Sequence, residues 1–176
     1  QVMEGYVKVI YLKGASGSGK TRMLEEISTV MEEKGFVTVY IDSMIYRKHN
    51  FYKEFIRQLL CLPEINYKDL FTENDFKNLL IKYHIYFPDI PLLYKYLWSN
   101  RRISVALLGE LVFQCIINSP IKSKIVLQID NIQYLNEEIQ QSIVYLCSLL
   151  LKDRHYICIV LSLNTSLSKI SLHTPL

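Results

Sequence analysis

Nowhere in these 176 residues do more than two lysines or arginines stand together, and the formal net charge is only +3. A footprint for phosphate backbones needs clustered cations, so nucleic acid is an unexpected partner. Apolar runs are no longer than a β-strand, and no leader-like stretch is visible. No membrane insertion is therefore expected. Cys61, Cys115, Cys147 and Cys158 show no C-x-x-C spacing and mostly lie in apolar patterns. Buried thiols in a reducing, cytoplasmic setting are expected, rather than disulfides or zinc. Internal repeats and low-complexity segments are also missing. What remains is ordinary globular composition: 50% hydrophobic and 21% charged residues, enough to bury one real core. A single domain over 1–176 is expected. The chain opens at Gln1 and stops shortly after its last apolar run, as a piece of something longer would.

The most informative stretch is VKVIYLKGASGSGKTRMLEEI, residues 7–27. β-formers from Val7 to Leu12 lead into a glycine-rich turn and then directly into a helical pattern. The turn, Gly14-Ala15-Ser16-Gly17-Ser18-Gly19-Lys20-Thr21, satisfies G-x-x-x-x-G-K-[ST] between a strand and a helix. Glycines let successive backbone N–H groups curl around a phosphate, and the opening helix adds partial positive charge there. Lys20 would reach the outer phosphates, and the Thr21 hydroxyl would sit on Mg2+. Arg22 follows as a further candidate contact. A nucleoside triphosphate is the implied ligand.

Beyond the loop, Met23, Leu24, Ile27, Val30 and Met31 predict one apolar helical face, stopped at Gly35. Phe36 to Ile41 reads as a second strand ending at Asp42, and Tyr52 to Cys61 as a helix closed by Pro63. Thr72 and Asp75 form a capping-box pattern. Pro88 and Pro91 break periodicity before a short helix, Leu92 to Trp98. The aromatics Tyr83, Tyr86, Phe87, Tyr94, Tyr96 and Trp98 have helical spacing and little nearby charge, so they read as packing residues rather than a base-stacking platform. Ser104 caps a helix to about Asn118. Ile125 to Ile129 is a third strand, apolar enough to be covered on both faces. Asn136 caps another helix, and Tyr156 to Leu163 is a fourth strand. Strands alternating with helices imply a three-layer α/β fold with a mainly parallel sheet and a helical insertion at about 44–123. Ligands then bind beyond the carboxyl ends of the strands, where Gly14, Asp42, Asp130 and Asn164 fall.

An apolar strand ending in Asp130 supplies the second half of a magnesium site opposite Thr21. In ATPases that polarise water, an acid usually follows that aspartate. Here the position is Asn131, which cannot take a proton at neutral pH. Losing a general base costs about 10²–10⁴-fold in rate, so Mg·ATP binding with slow or absent hydrolysis is expected. Ser162 and Asn164, ending the fourth strand, are candidates to contact the γ-phosphate or orient water, with a strand-end turn role as the alternative.

These residues resemble the ATPase modules of signal-transduction NTPases (the STAND class), relatives of AAA+ within the wider ASCE group. GKTRMLEEI is similar to that family's loop-and-helix start. In IVLQIDNIQYLN, Asp130, Gln133 and Tyr134 match its second signature, whereas Asn131 and Asn136 depart from it. The likeness extends to the ATPase region of soluble (type 10) adenylyl cyclases, with Asn50-Phe51-Tyr52 after strand two and the Phe87-Pro88 pair. It implies a regulatory ATP- and Mg2+-binding module beside class III cyclase domains, its partners being neighbouring domains of the same chain. The lid subdomain would lie outside this stretch. Two other readings remain: an origin-recognition-type AAA+ subunit acting on DNA, and a small-molecule kinase with Arg101-Arg102 as its lid arginines.

Overall fold

The computed structural model describes residues 8–46, 49–62, 72–98, 104–119, 124–152 and 157–165. Val7, Pro63, Arg101, Arg102 and Tyr156, each given a place above, lie outside them.

Four parallel strands form the sheet: β1 (Lys8–Gly14), β2 (Val37–Asp42), β3 (Ile125–Asp130) and β4 (Ile157–Asn164), in the order β1-β4-β3-β2. Strand β4 therefore separates the glycine-rich loop's strand from the one carrying Asp130. Apolar patterning ends each strand one or two residues early. The ladder continues through the polar tips, pairing Gly14 with Asn164 and Asp42 with Asp130. Those tip residues are thus held by strand hydrogen bonds rather than by loose connections.

Alternation along the strands divides the layers, since successive side chains point to opposite faces. One face offers Ile10, Leu12, Val126, Cys158 and Val160 to helix α1 (Lys20–Glu33), against Leu24, Ile27 and Met31. The spacing of these three residues makes one narrow stripe. Met23 and Val30, also expected inward, lie outside it and are half-exposed. The opposite face offers Val39, Ile41, Ile125, Leu127, Ile129, Ile157, Ile159, Leu161 and Leu163 to the larger core. Helices α2 (His49–Leu59), α3 (Glu73–Lys82), α4 (Ile90–Trp98) and α5 (Val105–Ile117), all between β2 and β3, and α6 (Glu137–Lys152) contribute to that core. Strand β3, sandwiched between the layers, is buried at every residue.

The helix ends show where local signals sufficed. Thr72 and Asp75 exchange the two hydrogen bonds of a capping box, and Ser104 and Asn136 accept from N–H groups of the first turns of α5 and α6. Pro91 does not break a helix. It lies in the first turn of α4, where a missing N–H costs nothing, while Asp89 accepts from Leu92. After α1, Gly35 (φ 78°) makes the paired bonds Gly35 N to Glu32 O and Phe36 N to Met31 O. Cys61 (φ 50°) and His84 (φ 55°) make the same left-handed turn after α2 and α3 without being glycine. This turn is why Cys61 is exposed and outside the helix, not buried on it. Left-handed backbone costs a residue with a Cβ roughly 1 kcal/mol, partly offset through the unfolded chain, so Cys61→Gly should raise stability by about 0.5–1 kcal/mol. A urea midpoint that stays put or falls would contradict this.

Among the expected packing aromatics, Phe87 and Tyr96 are buried, and Trp98 lies 5.0 Å from Phe76 and 5.2 Å from Tyr94 between ring centres. Tyr86 instead stands in solvent, 77% exposed. No helix among the described residues is long and apolar enough to cross a membrane.

Candidate functional site

The tips of all four strands meet at one edge of the sheet, and helix α1 starts from the same edge. Gly14 closes β1 so tightly that a Cβ there would stand 2.5 Å from Ser18 Oγ. Ala15 O accepts from Ser18 N (3.3 Å), which curls Ala15-Ser16-Gly17-Ser18 into a compact turn. Gly19 (φ 84°) then caps α1 without any side-chain hydrogen bond, and the first turn holds no acid. The leading N–H groups of α1 are left for a ligand, with nothing negative built in to satisfy them.

Lys20 folds back over this turn. Its Nζ donates to Gly14 O (3.0 Å), Ala15 O (2.7 Å) and Ser18 Oγ (3.4 Å), so the ammonium spans the loop's own mouth. Arg22 goes elsewhere: Nε pairs with Glu26 Oε1 at 3.2 Å on the exposed side of α1. Only its backbone belongs to the loop, and such an exposed pair adds little stability.

Across the cleft, Asp130 is buried and accepts from four groups. Thr21 Oγ1 donates to its Oδ2 at 2.9 Å, and Tyr40 donates its hydroxyl to the same oxygen at 3.3 Å. Ser162 Oγ donates to Oδ1, which also accepts from Asn131 N at 2.9 Å. No cation pairs with this carboxylate among the described residues. A buried anion left with neutral donors is the environment a metal cation would complete. The donor set suits Mg2+, which takes oxygen ligands, retains water, and needs only one or two protein groups beside phosphate. No group of three His, Cys, Asp or Glu side chains converges among the described residues, so a metal cage made of protein alone is not offered.

Ser162, fully buried, is spent on holding Asp130 and also accepts from Asn131 N (3.1 Å). Asn164, opposite Gly14 in the ladder, donates its N–H to Gln133 Oε1 (3.1 Å), and Thr165 N donates to Gly14 O (3.2 Å). Asn131 stands in left-handed backbone (φ 59°), which asparagine tolerates better than most residues, and opens a single 3₁₀ turn, Ile132–Tyr134. Its Nδ2 donates to Asp42 Oδ1 (3.2 Å), and its Oδ1 accepts from Gln133 Nε2 (3.4 Å). Polar bonds therefore run continuously across the tips of β2, β3 and β4.

Two of these participants carry no motif. Tyr40 and Asp42 are two residues apart on β2, hence on one face, and that face is shared with Gln128 and Asp130. The alternation of FVTVYID contains this signal, but nothing local tells which side the loop occupies. Burial, followed by the charges of Asp130 and Asp42, pushes the Tyr40 hydroxyl well above its ordinary pKa, so it remains a donor.

This chain is similar to two solved structures. Cdc6p from Pyrobaculum aerophilum is 19% identical, with a TM-score of 0.47 over 93% of this chain and 35% of its own. A Walker-type ATPase of Pyrococcus abyssi is 15% identical, with a TM-score of 0.41 over 89% of this chain and 40% of its own. The chain thus spans well under half the length of either. No curated protein matches it in sequence. A family model does, over residues 5–170, nearly the whole chain, and its ends enclose the loop, Asp130 and all four strands. This chain belongs to the KAP family, as its P-loop domain.

Proposed function

We propose that this domain binds ATP with Mg2+ and acts as a slow, nucleotide-gated regulatory module. The observation that carries the reading is the 2.9 Å bond from Thr21 to Asp130, which brings the loop hydroxyl and the β3 carboxylate onto one point. In this reading the N–H groups of Gly14–Thr21 and the Lys20 ammonium hold the phosphates, and Thr21 and Asp130 hold the metal. The metal would offset charge on the outer phosphates when bound. Asn164 stands at the β4 tip beside Gly14, within the same cleft, whereas Ser162 serves Asp130. Asn131 lacks a basic oxygen at neutral pH, which supports slow turnover.

Residues 1–176 are read as one NTPase domain whose output passes to neighbouring domains of a longer chain. Nucleotide can shift such an assembly only as far as it prefers one arrangement over another. The likeness to adenylyl cyclases rests on the two nucleotide motifs and a few flanking residues; the family itself lends it nothing. A DNA-acting, origin-recognition-type role would require strongly salt-dependent DNA binding, which a net charge of +3 does not favour.

Thermal denaturation with ATP, GTP, ADP or uridine, each with and without Mg2+, tests the proposal. At about a hundred times Kd, ligand adds about 2.7 kcal/mol, or roughly 5–10 °C in Tm for a domain of this size. Mg·ATP should give that rise and uridine none. No rise with any nucleotide would end the reading.

A further inference from the structure

We infer that Asp42, at the tip of β2, is the general base for attack of water on the γ-phosphate, and that Asn131 is its positioning residue. This rests on the Mg·ATP reading above and supplies the base that a site without an acid after Asp130 would need for turnover.

The carboxylate missing at position 131 has a counterpart one strand away. Asp42 and Asp130 are direct partners in the parallel ladder, so both side chains leave the same face at the same height. Asn131 Nδ2 is 3.2 Å from Asp42 Oδ1, so a carboxylate oxygen lies beside the spot where the usual acid's side chain would end. That oxygen also accepts from Met44 N at 2.8 Å. Two donors on Oδ1 fix the carboxylate plane, and Oδ2 takes no hydrogen bond among the described residues. Asp42 is half-buried rather than sealed, so water can reach it. A base with one oxygen oriented and the other open has the geometry that proton abstraction needs.

Its neighbours tie it to the phosphate end. Tyr40, on the same face of β2, reaches the Asp130 oxygen that also accepts from Thr21. Asn131 turns its amide towards Asp42 because its left-handed backbone lets its N–H stay on Asp130 and Ser162. Gln133 fixes which end of that amide faces Asp42 by donating to its oxygen. In the step, Asp42 Oδ2 accepts a proton from water as the water oxygen bonds to the γ-phosphorus. The bond from that phosphorus to the β,γ-bridging oxygen breaks, and its electron pair leaves with ADP. The proton then passes to released phosphate or solvent.

Phosphate release in a single turnover, measured beside Mg·ATP affinity, tests this. Asp42→Asn should slow release about a hundredfold while Kd moves less than about threefold. Asp42→Ala should be slowed likewise, and added formate should restore about tenfold of its rate, because a free carboxylate can enter the space. Asn131→Gly keeps the left-handed backbone but removes the amide, and should slow release about tenfold at unchanged affinity. An undiminished rate in Asp42→Asn overturns the inference. So does a slowed Asp42→Ala that formate leaves slow, or affinity lost in step with rate. Wild-type protein that binds Mg·ATP without releasing phosphate overturns it too, while the binding reading stands. Failure of the wild type to bind Mg·ATP removes both.

Discussion

Lys20→Ala should abolish the rise in Tm that Mg·ATP produces while leaving the unliganded Tm within a degree or two. The side chain contributes little to the fold. Its three bonds go to atoms of the loop itself, exposed or half-buried, where water replaces a lost donor cheaply. With nucleotide the balance differs. An ammonium shared between outer phosphate oxygens makes charge-assisted bonds, and losing about 3–4 kcal/mol of them weakens binding a hundredfold to a thousandfold. At a ligand concentration that stabilised the wild type, the variant would be mostly empty. Titration by thermal shift, checked by calorimetry, measures both quantities. A variant with the wild-type rise would mean that nucleotide, if it binds, does so away from the loop.

Asp130→Ala should weaken Mg·ATP about a hundredfold and leave metal-free ATP nearly unchanged, since groups supporting a bound metal typically contribute 10–100-fold to its affinity. Asp130 is 1% exposed and has no cationic partner among the described residues, so metal-free protein carries the cost of a buried charge. Alanine relieves that cost but strips acceptors from Thr21, Tyr40, Ser162 and the Asn131 N–H. Ser162 is the fully buried donor among them, and a stranded buried donor costs about 1–3 kcal/mol, so a lower unliganded Tm is also expected. Asp130→Asn keeps the shape and most acceptors while removing the charge, and separates the two effects. The readout is the ratio of Kd without Mg2+ to Kd with it, which should collapse towards one in both variants. Equal weakening with and without metal would assign Asp130 to holding the fold instead.

Asn131→Glu, on sequence alone, would restore a missing acid and speed phosphate release. The structure changes that expectation. A carboxylate there would face Asp42 at about the distance where the amide now donates, and like charges would oppose each other. It would also occupy left-handed backbone that asparagine tolerates better. One residue thus has two readings: a lost base from its neighbours in the chain, and a bridge between strands from its neighbours in space.

The elements legible beforehand have causes within a few residues. The glycine-rich loop, the apolar strands, the Thr72, Ser104 and Asn136 caps and the stop at Gly35 each depend on local backbone chemistry. The parallel sheet followed from alternation of strands with helices, and the tips holding Gly14, Asp42, Asp130 and Asn164 followed from the parallel sheet. Cys61 and His84 were opaque because a glycine marks a left-handed turn, and these turns lack one. Pro91 misled because proline's effect depends on whether it falls in the first turn of a helix or further along.

By its sequence alone this chain determined that a phosphate-binding loop joins a strand to a helix and that an acid ends a later apolar strand. Both depend on short-range sterics and patterning, which survive without knowledge of what packs where. Only the tertiary structure decided that β4 lies between those strands and that Tyr40 and Asp42 share the face on which Asp130 meets Thr21. Strand order and facing are set by how two layers of helices cover a sheet, and no stretch of a few residues contains that information.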